Sequence, residues 1–126
     1  MGKNCLYIAA AIGQVGVARW LLDRGVDVNA RDRYGDTPLI FAAVSSRAEV
    51  VQLLLERGAD CNARTASGGS ALGIAAAFGR TKTVKLLLDR GADVNASDRQ
   101  GRTPLSLATA FYRTEVVALL KGHGAG

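Results

Sequence analysis

The stretch GDTPLIFAAVSSRAEVVQLLLERGADCNA, residues 35–63, contains the parts of a complete structural unit. Thr37 offers a hydroxyl that can cap a helix. Pro38 follows at the first helical position, where its missing N–H is harmless. Leu39, Ala42 and Ala43 then share one helical face, and the small alanines let helices approach closely. Val50, Val51, Leu54 and Leu55 mark a second helix by the same spacing. Gly58 supplies the left-handed residue with which a helix often ends. Just ahead of the stretch, Asp32-Arg33-Tyr34-Gly35 has Asp first and Gly fourth, a type I turn signature. The unit therefore reads as two short helices and an extended turn.

The same unit recurs along the chain. Gly2, Gly35, Gly68 and Gly101 stand 33 residues apart. Leu6, Leu39, Leu72 and Leu105 keep that step, as do Ala9, Ala42, Ala75 and Ala108. So do Leu21, Leu54, Leu87 and Leu120, and Gly25, Gly58, Gly91 and Gly124. Chance does not produce a gapless register of this kind. The 126 residues are expected to form a single domain of repeats at roughly 2–34, 35–67, 68–100 and 101–126, an all-α repeat solenoid. One unit cannot bury its own apolar face, but about three or more stacked units bury a continuous core. Asp98-Arg99-Gln100-Gly101 repeats the turn signature, whereas Thr65-Ala66-Ser67-Gly68 lacks the Asp and is expected to be less fixed.

These residues resemble the ankyrin repeat. The motifs are GDTPL at 35–39, GRTPL at 101–105, WLLDRGVDVNA at 20–30, VVQLLLERGADCNA at 50–63 and VKLLLDRGADVNA at 84–96. The resemblance covers essentially the whole chain. It implies an ankyrin stack of antiparallel helix pairs with projecting β-hairpin-like loops. It also implies protein–protein contact through the hairpin tips and the concave face of the first helices.

The chain departs from the family pattern in places. The family usually places a histidine after Thr-Pro-Leu, tying neighbouring loops together, and here Tyr7, Ile40, Gly73 and Ser106 stand there. That predicts loops without this tie. Gly13 and Gly79 sit at the inter-helix turn, but Ser46 and Tyr112 replace glycine in the other units. Cys5 and Ala71 replace Pro38 and Pro104 at the helix start. Thr109 and Lys121 put polar groups where other units have alanine and leucine, which fits a capping end. The first unit keeps Trp20, Leu21 and Leu22 and is less obviously capped.

Composition agrees with a folded domain, with 48% apolar and 21% charged residues. No apolar run approaches the ~18–20 residues that cross a bilayer. The start, MGKNCLYIAA, makes a poor secretory signal, and Leu6 stands where a myristoylation motif wants Ser or Thr. The expected setting is intracellular, cytoplasmic or nuclear.

Chemistry is sparse. Two cysteines and His123 are too few for a disulfide scaffold or a metal site. Cys61 falls in the column of Val28 and Val94 and reads as a small half-buried hydrophobe. Cys5, at a helix start, is the candidate for a reactive thiol. His123 aligns with Arg24, Arg57 and Arg90 just before the helix-ending glycines, where a cation suits the helix dipole. Asp27, Asp60 and Asp93 recur with the repeat and read as turn residues, since a catalytic pair does not recur every unit. No phosphate loop or hydrolase signature is present. The expectation is a chain that is no enzyme and holds no cofactor or metal, with thiol-dependent hydrolysis a remote alternative.

The net charge of +5 is largely arginine. Three readings stand for it: a solvated surface, an acidic protein partner, or nucleic acid, the last unsupported by any nucleic-acid motif. Arg24, Arg57 and Arg90 are neighboured by Asp23, Glu56 and Asp89 and read as locally neutralised. Framework positions must repeat, whereas contact positions need not. On that logic the partner-binding candidates are Arg33, Tyr34, Asp36, Arg99, Gln100 and Arg102 in the turns, with Ile12, Ser45, Phe78 and Phe111 at the ends of the first helices. For Phe78 and Phe111 the alternative is packing under their own turns. The expected particle is a monomer or weakly self-associating. An engineered scaffold with no cellular target is the competing reading, because almost every residue belongs to the repeat. Against it, the repeats diverge more than a consensus array would.

Overall fold

The computed structural model describes residues 2–45 and 47–125, and of residues 2–4 the backbone alone. Eight helices run in pairs: α1 (Gly2–Ile12) with α2 (Val15–Asp23), α3 (Pro38–Val44) with α4 (Ala48–Glu56), α5 (Ala71–Ala77) with α6 (Thr81–Asp89), and α7 (Pro104–Ala110) with α8 (Thr114–Gly122). First helices stack on first helices and second on second, so the pairs form a row. Among the described residues there is no strand, only an isolated bridge between Arg64 and Ser70 in a loop. This is the all-α repeat stack the period called for.

Local sequence explains each boundary. Thr37, Ser70 and Thr103 cap α3, α5 and α7, their hydroxyls accepting from the N–H groups of Ile40, Gly73 and Ser106. In α7 the bond is reciprocal, because Ser106 Oγ accepts from the Thr103 N–H at 2.8 Å. The second helices end alike. In α4 the Ala59 N–H reaches back to the Leu54 carbonyl and the Gly58 N–H to that of Leu55. Gly58 adopts φ +91°, which a side chain would resist.

The first helix differs from expectation. α1 begins at Gly2 and not at Cys5, the position of Pro38 in α3. Cys5 thus lies inside the helix, and the placement that made it a candidate for an activated thiol is absent. In α3, α5 and α7 a Thr or Ser hydroxyl stops the helix where the preceding loop comes in. In α1 the place of Thr37 holds Asn4, and the helix runs through it.

The core follows the identical columns. Leu6, Leu39 and Leu72 are buried, as are Leu21, Leu54, Leu87 and Leu120. Ala9, Ala42, Ala75 and Ala108 are buried with them and allow the helices of adjacent pairs to sit close. Leu105, in the last unit, is only half-buried. Thr109 and Lys121 are exposed, as polar groups at an end should be.

The inter-helix turns require a left-handed residue. Gly13 and Gly79 supply it at φ +79° and +69°. Tyr112 takes the same conformation at φ +58°, the one non-glycine residue among those described to do so. Ser46 lies outside the described residues.

Candidate protein-binding face

The projecting loops are built by carboxylates and hydroxyls. Asp32 Oδ1 accepts from the N–H groups of Tyr34 and Asp36, and the Gly35 N–H closes the turn on the Asp32 carbonyl at 3.0 Å. Asp98 does the same for Gln100 and Arg102. In the loop between these two Thr65 takes the role of the missing Asp. Its Oγ1 accepts from the Gly69 N–H at 3.1 Å and lies 2.9 Å from Ser67 Oγ, and the Gly68 N–H still closes on the Thr65 carbonyl. A hydroxyl that accepts one backbone bond in place of two preserves the turn.

Neighbouring loops are tied together without the family histidine. Arg31 donates to the Gly35 carbonyl at 2.6 Å within its own loop and to the Arg64 carbonyl at 2.9 Å in the next. Arg64 repeats the pattern to Gly68 and Ser97. Asn29 and Asn62 each accept, at 2.8 Å, from the N–H of an aspartate one repeat on, Asp60 and Asp93. Tyr7 adds a bond from its hydroxyl to the Ala30 carbonyl at 2.6 Å. The histidine tie is absent, as expected, but the loops are cross-linked all the same, because arginine and asparagine side chains bond backbone groups of the next loop. Asp27, Asp60 and Asp93 serve their turns as expected, each accepting from the N–H two residues on.

Two open grooves lie between the loops and the first helices. The first, of about 500 Å³, has Phe78 and Phe111 on its lip, Ile74 and Leu107 as its floor, and Asp36, Asp98 and Arg102 on the loop side. Phe78 is 47% exposed and Phe111 54%, so neither is packed away beneath its turn. Gly73 lines this groove, and a Cβ there would come into contact with Leu107 Cδ1 at 3.4 Å. The second groove, of about 620 Å³, is lined by Tyr7, Ile8, Arg33, Tyr34 and Phe41.

The groove carboxylates are shifted in opposite directions. Arg102 donates its backbone N–H and its guanidinium Nε to Asp98, the latter at 2.7 Å, and these bonds hold the Asp98 carboxyl below its ordinary range. Burial and then the neighbouring Asp32 push Asp36 upward.

The expected contact residues thus divide. Asp36, Arg102, Phe78 and Phe111 meet in the first groove, and Arg33 and Tyr34 belong to the second. Arg99 and Gln100 are exposed at a loop tip, where the Arg99 N–H donates to the Ser67 carbonyl at 3.2 Å. Ser45 lies outside both grooves, its Oγ accepting from the Arg47 N–H at 3.1 Å. Ile12 is exposed and also lines neither groove. Ile74 and Leu107 were missed, although each precedes its Phe by a helical turn and shares its face.

Several arginines are structural. Arg80 Nε donates to the Val44 carbonyl and Arg113 Nε to that of Ala77, both at 3.0 Å. Arg57 pairs with Asp23 of the preceding repeat at 2.7 Å, not with its neighbour Glu56. Arg24 lies over the Trp20 ring, 4.2 Å from its centroid. The thiols are far apart in the row, Cys5 exposed in α1 and Cys61 half-buried with its Sγ 3.5 Å from the Arg90 carbonyl. Burial pushes the Cys61 thiol up, and Asp60 adds to it. Among the described residues no three His, Cys, Asp or Glu side chains come together as metal ligands, and no helix is long and apolar enough to cross a membrane.

A curated L-asparaginase from Dirofilaria immitis is 39% identical over 41 residues, 32% of this chain. The match spans only 7% of that protein's length. The family model described as ankyrin repeats (3 copies) matches residues 1–65 and again 60–126. Ankyrin repeats are generally protein–protein interaction modules. With the period, the capped helix pairs and the cross-linked loops in agreement, this chain belongs to the ankyrin-repeat family.

Proposed function

We propose that the chain is a non-catalytic module that binds a protein partner through its loop tips and the concave face of its first helices. The observation that carries the reading is the first groove, where Phe78 and Phe111 stand exposed one repeat apart over an apolar floor. Exposed aromatics at a groove are the side chains that most often dominate an interface. Arg33, Tyr34, Asp36, Ser45, Arg99, Gln100 and Arg102 complete the contact surface. The partner presents a net acidic surface, drawn by the +5 charge and by the exposed Arg33 and Arg99.

The test begins with the immobilised chain and the proteins it retains from a cell lysate. Binding kinetics are then measured for Phe78→Ala, Phe111→Ala and Tyr34→Ala against the outer-face variants Gln52→Ala and Lys85→Ala. Each groove variant is expected to weaken binding by more than ~1 kcal/mol, the usual hot-spot threshold, with the outer-face variants unchanged. Loss confined to Gln52 and Lys85 would place the contact on the opposite face and refute the reading.

A further inference from the structure

The first groove is apolar on its helix side and charged on its loop side. Its walls come from the second, third and fourth repeats. The charged groups of its lining are Asp36, Asp98 and Arg102, two acids and one base, on a chain whose net charge is +5. Asp98 and Arg102 neutralise each other through the 2.7 Å bond from Arg102 Nε. What remains is the negative charge of Asp36.

That carboxylate lacks a counter-ion. Asp36 is half-buried, and its backbone N–H donates to Asp32 Oδ1. Among the described residues its carboxyl oxygens accept no hydrogen bond and make no ion pair. Arg31 is the cation that acts on Asp36, but its Nη1 is engaged with the Gly35 and Arg64 carbonyls, and Asp32 opposes its influence. Losing water without gaining a partner leaves the Asp36 carboxyl shifted upward. A cation brought into the groove would offset that loss. An anion would meet two carboxylates there, and Arg102 is already bound to one of them.

We infer that the first groove takes a partner segment that combines a bulky apolar side chain with a lysine or arginine. The apolar side chain rests on Ile74 and Leu107 between Phe78 and Phe111, and the cation meets Asp36. The inference rests on the protein-binding reading above and adds what the partner offers at this groove. The cation belongs at the carboxylate and not at the rim, because the Arg80 guanidinium already lies 5.9 Å from the centroid of the Phe78 ring. Lysine and arginine also suit an apolar floor, since their methylenes lie along it while the charged end stays among polar groups. Arg33 and Arg99 do not line this groove, so acidic groups of the same partner meet them outside it.

A phage-displayed library of random short peptides, selected on the immobilised chain, supplies the probes. The selected peptides are sorted by whether Phe78→Ala abolishes their binding. Those that depend on Phe78 are expected to carry a bulky apolar residue together with a lysine or arginine. In fluorescence anisotropy, replacing that basic residue with glutamine should weaken binding to the native chain roughly tenfold, the scale of a bond to a charged group. Asp36→Asn should weaken the original peptide by the same factor, and the glutamine peptide hardly further. Circular dichroism checks that Asp36→Asn keeps the native fold. If it does not, the carbon-13 shift of the Asp36 carboxyl in the native chain decides, because a bound cation should lower its pKa and an unchanged titration would refute the contact. Phe78-dependent peptides without a basic residue would overturn the inference and leave the protein-binding reading standing. So would a glutamine substitution equally costly on the native chain and on Asp36→Asn. A complete absence of Phe78-dependent peptides would refute both.

Discussion

Arg113 donates its guanidinium Nε–H to the backbone carbonyl of Ala77, 3.0 Å away in the preceding repeat. Ala77 is the last residue of α5, where the helix leaves carbonyls without internal donors. Arg80 meets Val44 at the end of α3 in the same way. One side chain thus satisfies a helix terminus, places a cation at its negative end, and ties two repeats together.

Replacing Arg113 with Met should therefore cost about 1 kcal/mol, the scale of one partly exposed charge-assisted bond. Arg113→Lys should not restore it, because lysine lacks the planar guanidinium that presents Nε. Urea unfolding of the two variants gives the comparison. A lysine variant as stable as the native chain would show that charge alone matters.

Tyr112 holds φ +58° at the turn where Gly13 and Gly79 stand in other repeats, and its side chain is almost wholly exposed. A left-handed non-glycine residue carries a steric cost of ~1–2 kcal/mol. Tyr112→Gly gives up little packing, and it should raise stability by up to about 1 kcal/mol after glycine's greater freedom in the unfolded chain is offset. Thermal melts at equal concentration would register this as a higher midpoint.

Leu54 is fully buried in an interior repeat. Leu54→Ala should cost ~2–5 kcal/mol, as large-to-small changes in packed cores do. Because each repeat leans on its neighbours, the loss should lower the whole unfolding transition and not release one helix pair. Denaturant melts followed by far-ultraviolet circular dichroism would expose a separate early phase if the repeats acted independently.

The two thiols should separate by rate. Cys5 is exposed, whereas burial and Asp60 raise the pKa of Cys61 and reduce its thiolate fraction at a given pH. Iodoacetamide near neutral pH should modify Cys5 first, and denaturant should bring Cys61 to reactivity. A raised folded pKa means that this group's contribution to stability is present below the unfolded pKa and is lost as pH rises through the folded one. Equal alkylation rates in the native chain, read by mass spectrometry of the peptides, would contradict the burial of Cys61.

Asp36 and Asp98 share a groove and should titrate on opposite sides of the ordinary carboxylate range. Burial raises Asp36, while the backbone and guanidinium bonds from Arg102 lower Asp98. The sign follows: the Asp98 contribution to stability is present above its unfolded pKa and is lost as pH falls through the folded one, while Asp36 opposes folding once ionised. Carbon-13 shifts of the two carboxyls against pH would read both directly. Arg102→Ala should move Asp98 back up and leave Asp36 nearly where it was.

The sequence by itself determined the repeat, its register, the helix pairs and the leucine and alanine columns of the core. These rest on local rules and on identity at a fixed period, which one dimension displays in full. Thr37 before Pro38, and Gly58 after Leu55, mark helix ends without reference to any distant residue. The turn aspartates were legible for the same reason, whereas the sequence left open whether Phe78 and Phe111 face solvent or pack under their turns. Only the tertiary structure decided which arginines are structural. Arg31, Arg64, Arg80 and Arg113 find their carbonyls about one repeat away, at distances fixed by the stacking of helices and not by spacing in the chain. It likewise decided that Asp98 neutralises Arg102, that Arg57 reaches back to Asp23, and that Ile74 and Leu107 floor a groove. A column shows that a position repeats. Whether its side chain meets solvent or another repeat depends on what lies beside it, as the exposed Val17 and the buried Val50 demonstrate within the same column.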